Sequence, residues 1–284
     1  MTVEGVVPLS AAGDEAVFGA KSANLAAALN ARLPVPDGFA LSAMAVDHIN
    51  SGHLETIKAT LGLYDGFGGL VAVRSSAIGE DSEGASFAGQ HATILGVNGP
   101  VDLLKSIMAV RSSGERESAS HYRQSMGVET GEARVAVTVQ RLLSPTSAGV
   151  LFTRNPVNHA DERVAEAAWG LGEAVVGSLV TPDHIRFERG GKVVEQVPGQ
   201  KHILLKPLEG GGTETVRLDP EKSDALCLTA KQIQSLDQLA DKCERNFNGA
   251  QDIEWAFEGD SLFLLQSRPI TTVPIQTKSA PQLQ

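Results

Sequence analysis

Three side chains near the end of the sequence are of the types that handle charged oxygen. Glu254, Gln266 and Arg268 lie in Asp252-Ile-Glu-Trp-Ala-Phe-Glu-Gly-Asp-Ser-Leu-Phe-Leu-Leu-Gln-Ser-Arg-Pro269. Two strand-like runs flank Glu258-Gly259-Asp260, a small polar cluster of the kind that reverses a chain. Side chains in a strand alternate faces, so parity sorts them. Ile253, Trp255, Phe257, Phe263 and Leu265 fall on one face, and Glu254, Gln266 and Arg268 on the other. A turn at this point sets Glu254 nearly opposite Gln266. Hard cations take oxygen ligands and arginine grips phosphate with its fork of donors, so the trio could cradle a metal-bound polyphosphate. The same pattern also fits an ordinary amphipathic hairpin whose polar face meets water.

Other residues could serve the same chemistry. Arg74 closes the apolar run Leu70-Val-Ala-Val73 and leads into a loop, 77–90, rich in Gly, Ser and acid. An arginine at a strand end before such a loop suits a phosphate clamp; pairing with Glu80 or Asp81 is the competing reading. Lys21 follows Gly19 at a predicted helix start, a favourable place for phosphate. It does not complete a Walker A loop, because the spacing from Gly13 is wrong and Ala20 stands where the second glycine belongs. Alone, Lys21 reads as a solvated helix residue. Glu173, between Gly172 and a predicted helix, reads equally as a cap-region acid or a ligand contact. No nucleophilic triad or zinc spacing appears, and the seven histidines are scattered.

The elements that must position these residues mix helices and strands without a regular βαβ rhythm, which predicts an α+β fold. Helices are expected over residues 19–30, 44–52, about 101–126 and 229–247, the last amphipathic with Thr229 as its cap. Strands are expected over 70–76, 135–143 and 148–154. Residues 183–218 read as strands and turns, and 165–176 as a glycine-punctuated passage opening a helix.

Composition bounds the remaining choices. A chain of 284 residues holds one large domain or two linked lobes. Its 42% hydrophobic and 20% charged content is that of a globular protein. No run approaches the ~20 apolar residues of a membrane helix, and the first residues lack a secretory pattern. Two cysteines, Cys227 and Cys243, make no framework by themselves, so a reduced, cytoplasmic setting is expected. A net charge of −10 argues against a general nucleic-acid binder but not against a local nucleotide site. The tail after Thr272 reads as a linker or frayed end.

In order along the chain, several blocks resemble the nucleotide-binding region of phosphoenolpyruvate synthase and pyruvate phosphate dikinase, shared by rifampin phosphotransferase and two-component phenylphosphate synthase. They are Gly-Ala-Lys-Ser-Ala-Asn-Leu (19–25) with Val-Pro-Asp-Gly-Phe (35–39), and Val-Ala-Val-Arg-Ser-Ser-Ala (71–77) with Ala-Ser-Phe-Ala-Gly-Gln (85–90). Val-Gln-Arg-Leu-Leu (139–143), Ala-Gly-Val-Leu-Phe-Thr (148–153), Trp-Gly-Leu-Gly-Glu (169–173), Thr-Pro-Asp (181–183) and the hairpin complete the series. The resemblance implies an ATP-grasp fold, two lobes clasping ATP, with residues 1–133 and 134–272 as the lobes and 273–284 as a tail. By motif match, Lys21 and Arg74 bind phosphates under a loop carrying Ser86, Gly89 and Gln90. Thr93 and the segment Gln140 to Leu142 line the adenosine pocket, and Glu173 contacts the nucleotide at its ribose. Glu254 and Gln266 hold Mg²⁺, and Arg268 stabilises the transferring phosphoryl group, with Lys21 and Arg74 as its catalytic companions. The implied chemistry is positioning and charge neutralisation.

The sequence departs from the family in places. Lys21 and Arg74 lie closer together than usual, implying a trimmed first lobe, and Arg154 stands where Asp is common. The sequence ends soon after the hairpin, so the implied partner is a separate phosphohistidine-carrying domain or subunit. A small-molecule acceptor (pyruvate, a phenol or another alcohol) is expected to bind elsewhere, with no nucleic acid and no membrane. A nucleotide-binding domain excised from a longer enzyme and a nucleotide-sensing module without turnover are the other readings.

Overall fold

The computed structural model describes residues 3–78, 92–124 and 135–270. Two antiparallel sheets organise them, and mixed helices cover the sheets, so the α+β expectation holds. The first sheet holds β1 (Val6–Pro8), β2 (Gly38–Leu41), β3 (Val71–Ala77), β4 (Thr93–Val97) and β5 (Val135–Arg141), in the order β1-β2-β5-β3-β4. The second holds β6 (Ser147–Phe152), β7 (Glu162–Trp169), β8 (Asp183–Glu188) and β9 (Val193–Val197). After a separate two-stranded hairpin, β10 (Ile203–Pro207) and β11 (Thr213–Arg217), it gains β12 (Gln251–Glu258) and β13 (Ser261–Pro269). Its order is β13-β12-β6-β7-β8-β9.

Strand parity divides the first sheet into an apolar and a polar face. Phe39, Leu41, Val71, Val73, Val137 and Val139 pack beneath α2 (Ala43–Asn50), α3 (Leu54–Asp65) and α4 (Pro100–Gln124). The alternate positions Arg74, Thr138 and Gln140 share the opposite face, because register sets Arg74 beside Thr138 and Ala72 beside Gln140. Helix α1 (Glu15–Asn30) lies on that face, where the Ser22 and Thr138 hydroxyls meet at 2.7 Å. α3 was not foreseen; its end is a Gly66 cap followed by more glycines, which blurs the period.

A second core joins α1 to the other sheet. Phe18 and Leu25 of α1 cluster with Leu151, Ile253, Trp255, Phe257 and Leu264 and with Ile233, Leu236 and Leu239 of α7 (Ala230–Phe247). Those α7 positions recur at helical spacing, which makes one apolar stripe. The Thr229 cap is realised as a full capping box with Gln232. The glycine-punctuated passage yields only a four-residue helix, α5 (Glu173–Val176); α6 (Pro220–Asp224) has five residues.

The hairpin's register matches the sequence reading at its functional end and departs from it beyond. Glu254 pairs with Gln266 and Asp252 with Arg268, as parity requires. Trp255 then pairs with Leu264, because a bulge inserts Leu265 as an extra residue. Phe263 and Leu265 therefore leave the Trp255 face and pack with Leu143, Ala148 and Ala256. Leu264 takes the expected place in the main core.

Candidate active site

The site forms where the polar face of the first sheet meets the β12–β13 hairpin. Arg74 is nearly buried at 9% exposure and reaches across to the second sheet. Its Nη2 donates to Glu254 Oε2 at 2.8 Å and to Gln266 Oε1 at 3.0 Å, while Nη1 donates to the Leu265 carbonyl at 2.9 Å. The bulge residue thus turns its carbonyl toward the first sheet. Arg74 was expected to clamp phosphate or to pair with Glu80 or Asp81; here its partners are Glu254 and Gln266.

Lys21 is held by a backbone kink. Gly19 adopts φ 75° and ψ 162° inside α1, so a new helical segment begins just before Lys21. Only glycine fits there: a Cβ would lie 2.3 Å from the Ser76 carbonyl oxygen. Ser76 Oγ accepts from the Ser22 amide at 3.1 Å, and Lys21 Nζ donates to the Ser75 carbonyl at 3.0 Å. Lys21 is buried rather than solvated. The positive end of this segment and the lysine therefore share one corner with the end of β3.

Arg268 sits on the same face as Glu254 and is oriented by Asp252, whose Oδ2 accepts from Arg268 Nε at 2.8 Å and lies 2.7 Å from Nη2. Burial raises the Asp252 carboxyl above its ordinary pKa; Arg268 pulls it back and the Glu254 charge pushes it up. Burial also raises the Glu173 carboxyl, where Arg74 acts downward and Glu254 upward. Glu173 is thus within electrostatic reach of both. A cavity of about 190 Å³ opens here, with Glu166, Asp252, Glu254, Gln266 and Arg268 as its polar lining. That is below the ~300–1,000 Å³ of whole ligand pockets, so it fits the charged end of a ligand.

Thr93 pairs with Arg74 across β3–β4 and is half-buried. Gln140 is buried and donates to the Pro36 carbonyl at 3.2 Å; the Leu142 amide donates to the Leu70 carbonyl at 2.9 Å. Both lie along the polar face from Arg74, at the exit of β5. Ser86, Gly89 and Gln90 lie outside the described residues. Arg154 is a half-exposed partner of Asp161 at 3.7 Å, away from the cavity lining.

Two acids were missed. Asp252 precedes Glu254 by two and shares its face by the same parity, a signal present in the sequence. Glu166 is reached through register, since Glu254 pairs with Val150 and Val150 with Glu166. Its signal was one acid within the buried run of β7.

An oxygen-rich face beside two guanidiniums, with a lysine at a helix start at the end of β3, has the donor types that anionic phosphate and a hard cation require. This agrees with the comparisons. Residues 53–283 match the family described as pyruvate phosphate dikinase, AMP/ATP-binding domain, and the chain belongs to that family. A probable phosphoenolpyruvate synthase of Archaeoglobus fulgidus is 33% identical, over 94% of this chain and 41% of that protein. The phosphoenolpyruvate synthase of Pyrococcus furiosus is 39% identical, over 72% of this chain and 26% of its own. The rifampicin phosphotransferase of Streptomyces sviceus is 40% identical, over 74% and 24%. The chain thus spans less than half the length of these relatives. D-alanyl-alanine synthetase A of Vibrio cholerae aligns over 91% of the chain and 60% of its own, at TM-score 0.35 and 13% identity, too loose an overlap to add to the assignment.

Proposed function

We propose that the chain binds ATP with Mg²⁺ in an ATP-grasp arrangement and passes a phosphoryl group to a histidine on a separate swivelling domain or subunit, in dikinase fashion. Family membership supports the nucleotide; the convergence of Glu254, Gln266 and Arg74 carries the reading of the site. The two sheets would be the two lobes. β5 pairs within the first sheet, so the boundary is better drawn in the 142–146 connection than at residue 133.

The donor set fits the cation: a carboxylate and an amide oxygen approach a common point, and both are hard ligands. When bound, Mg²⁺ would neutralise charge on the terminal phosphates. Lys21 and the helix start behind it would hold phosphate oxygens, with Ser86, Gly89 and Gln90 covering them. Thr93, Gln140 and Leu142 would flank adenosine, and Glu173 the ribose. Arg268, aimed by Asp252, would stabilise the charge that develops on the transferred group. The final acceptor, whether pyruvate, a phenol or another alcohol, would bind elsewhere, and a cytoplasmic setting suits these partners. No described helix is long and apolar enough to cross a membrane.

The test is to incubate the chain and ATP·Mg²⁺ with the isolated phosphohistidine domain of a relative. Phosphohistidine on that domain and AMP in solution are expected. ATP binding with neither product would refute transfer and leave a sensing module.

A further inference from the structure

Arg74 and a divalent cation require the same two oxygens. A single nitrogen, Arg74 Nη2, lies within hydrogen-bonding distance of both Glu254 Oε2 and Gln266 Oε1, at 2.8 and 3.0 Å. A cation ligated by both, at roughly 2.0–2.1 Å for Mg²⁺, would occupy the same region between them. Two positive groups cannot share that space. We infer that Arg74 competes with the divalent cation for Glu254 and Gln266, so that cation loading is coupled to release of this pair between the sheets. The inference rests on the metal role proposed for those two residues.

Two further features fit an exchangeable arrangement. Arg74 Nη1 keeps a separate hold on the Leu265 carbonyl, a pivot that does not involve either oxygen. Arg74 Nε is buried without a hydrogen-bond partner, so the guanidinium retains a donor for another acceptor. Phosphate oxygens would satisfy it. The same guanidinium thus holds the ligand residues in register and becomes available to the nucleotide as the cation is taken up. Exchange would leave the Nη1 contact with Leu265 as the guanidinium's remaining hold on the hairpin.

The consequence is opposite to that of a simple binding residue. Removing Arg74 should tighten cation binding while weakening nucleotide binding. With Mn²⁺ alone as the probe, followed by electron paramagnetic resonance on the full chain, Arg74→Met should lower the Kd about tenfold, or about 1.4 kcal/mol. Arg268→Met removes a charge from the same cleft but one that is paired with Asp252, and should change the Kd less than about threefold. Equal gains in both variants would reduce the effect to general charge, and no gain in Arg74→Met would overturn the competition outright. A measurement on the unmodified chain guards against misfolding of the variant: the Arg74 side-chain nitrogen signals should shift on adding Mg²⁺ without nucleotide. Unshifted signals at a saturating cation concentration would also overturn it. Calorimetry with ATP separates the two levels. Metal-dependent ATP binding with no Arg74 effect sinks the competition alone, whereas absence of both Mn²⁺ and ATP binding sinks the site reading and the competition with it.

Discussion

Substituting Lys201 by methionine should be among the most damaging single changes outside the site. Asp183 and Lys201 form an ion pair with no exposed side-chain surface. Asp183 Oδ1 also accepts from the Gly199 amide at 2.8 Å, and Oδ2 accepts from the Cys227 amide at 2.8 Å. The carboxylate therefore ties β8, the 199–201 turn and the segment entering α7 into one knot. Lys201→Met keeps the volume but leaves a buried carboxylate without its counter-charge, at a cost of about 3–5 kcal/mol. At about 3 kcal/mol per molar of urea, the unfolding midpoint should fall by about 1–1.7 M. Cys227 offers a local assay, because burial, reinforced by the Asp183 charge, holds its thiol protonated and unreactive. With Cys243→Ser as background, thiol labelling of Cys227 in the native state should accelerate at least a hundredfold, each tenfold being about 1.4 kcal/mol. Asp183→Asn combined with Lys201→Met should cost less than the sum of the two single changes, since neither partner is then stranded. A midpoint shift under about 0.3 M, or strict additivity, would refute the knot.

Gly19→Ala should cost about 1–3 kcal/mol, because it forces a side chain into a positive-φ position against the Ser76 carbonyl; denaturant midpoints check this, and ATP affinity should fall with it as Lys21 shifts. Glu173 has its pKa raised from 4.5 by burial, so the folded state binds that proton more tightly than the unfolded state does. Its contribution is full below the unfolded pKa and is lost as pH rises through the folded one. Glu173→Gln should therefore gain stability relative to the parent chain as pH rises above the ordinary carboxylate pKa, and parallel profiles by urea titration would contradict the burial account. Arg268→Ala should retain ATP binding but lose transfer to the histidine domain, because its role lies mainly in the transition state; equal loss of both would remove that role.

Much of the site was legible because a strand's period is simple. Glu254 opposite Gln266 followed from parity and one turn, and the kink at Gly19 from a glycine ahead of a helical run. The bulge was not legible, since one inserted residue leaves the alternation on each side intact while moving Phe263 and Leu265 to the other face. The contacts of Arg74 with Glu254 and Gln266 were not foreseen for a different reason, and Glu80 and Asp81 lie outside the described residues. Acids near in sequence were weighed, whereas Glu254 arrives through tertiary pairing from the second sheet. Asp252 was available by the rule that found Glu254 but was not singled out. Lys21 reads as exposed by type, and only the packing of α1 against β3 buries it.

The central claim is that the hairpin and β3 together make a metal-dependent ATP site. Titration calorimetry of the chain with ATP, with and without Mg²⁺, beside the Glu254→Gln variant, tests it most directly. The account predicts ATP binding that strengthens with Mg²⁺ in the parent chain and a higher Mg²⁺ requirement in Glu254→Gln. Binding indifferent to Mg²⁺, or the same metal titration in both proteins, would contradict it.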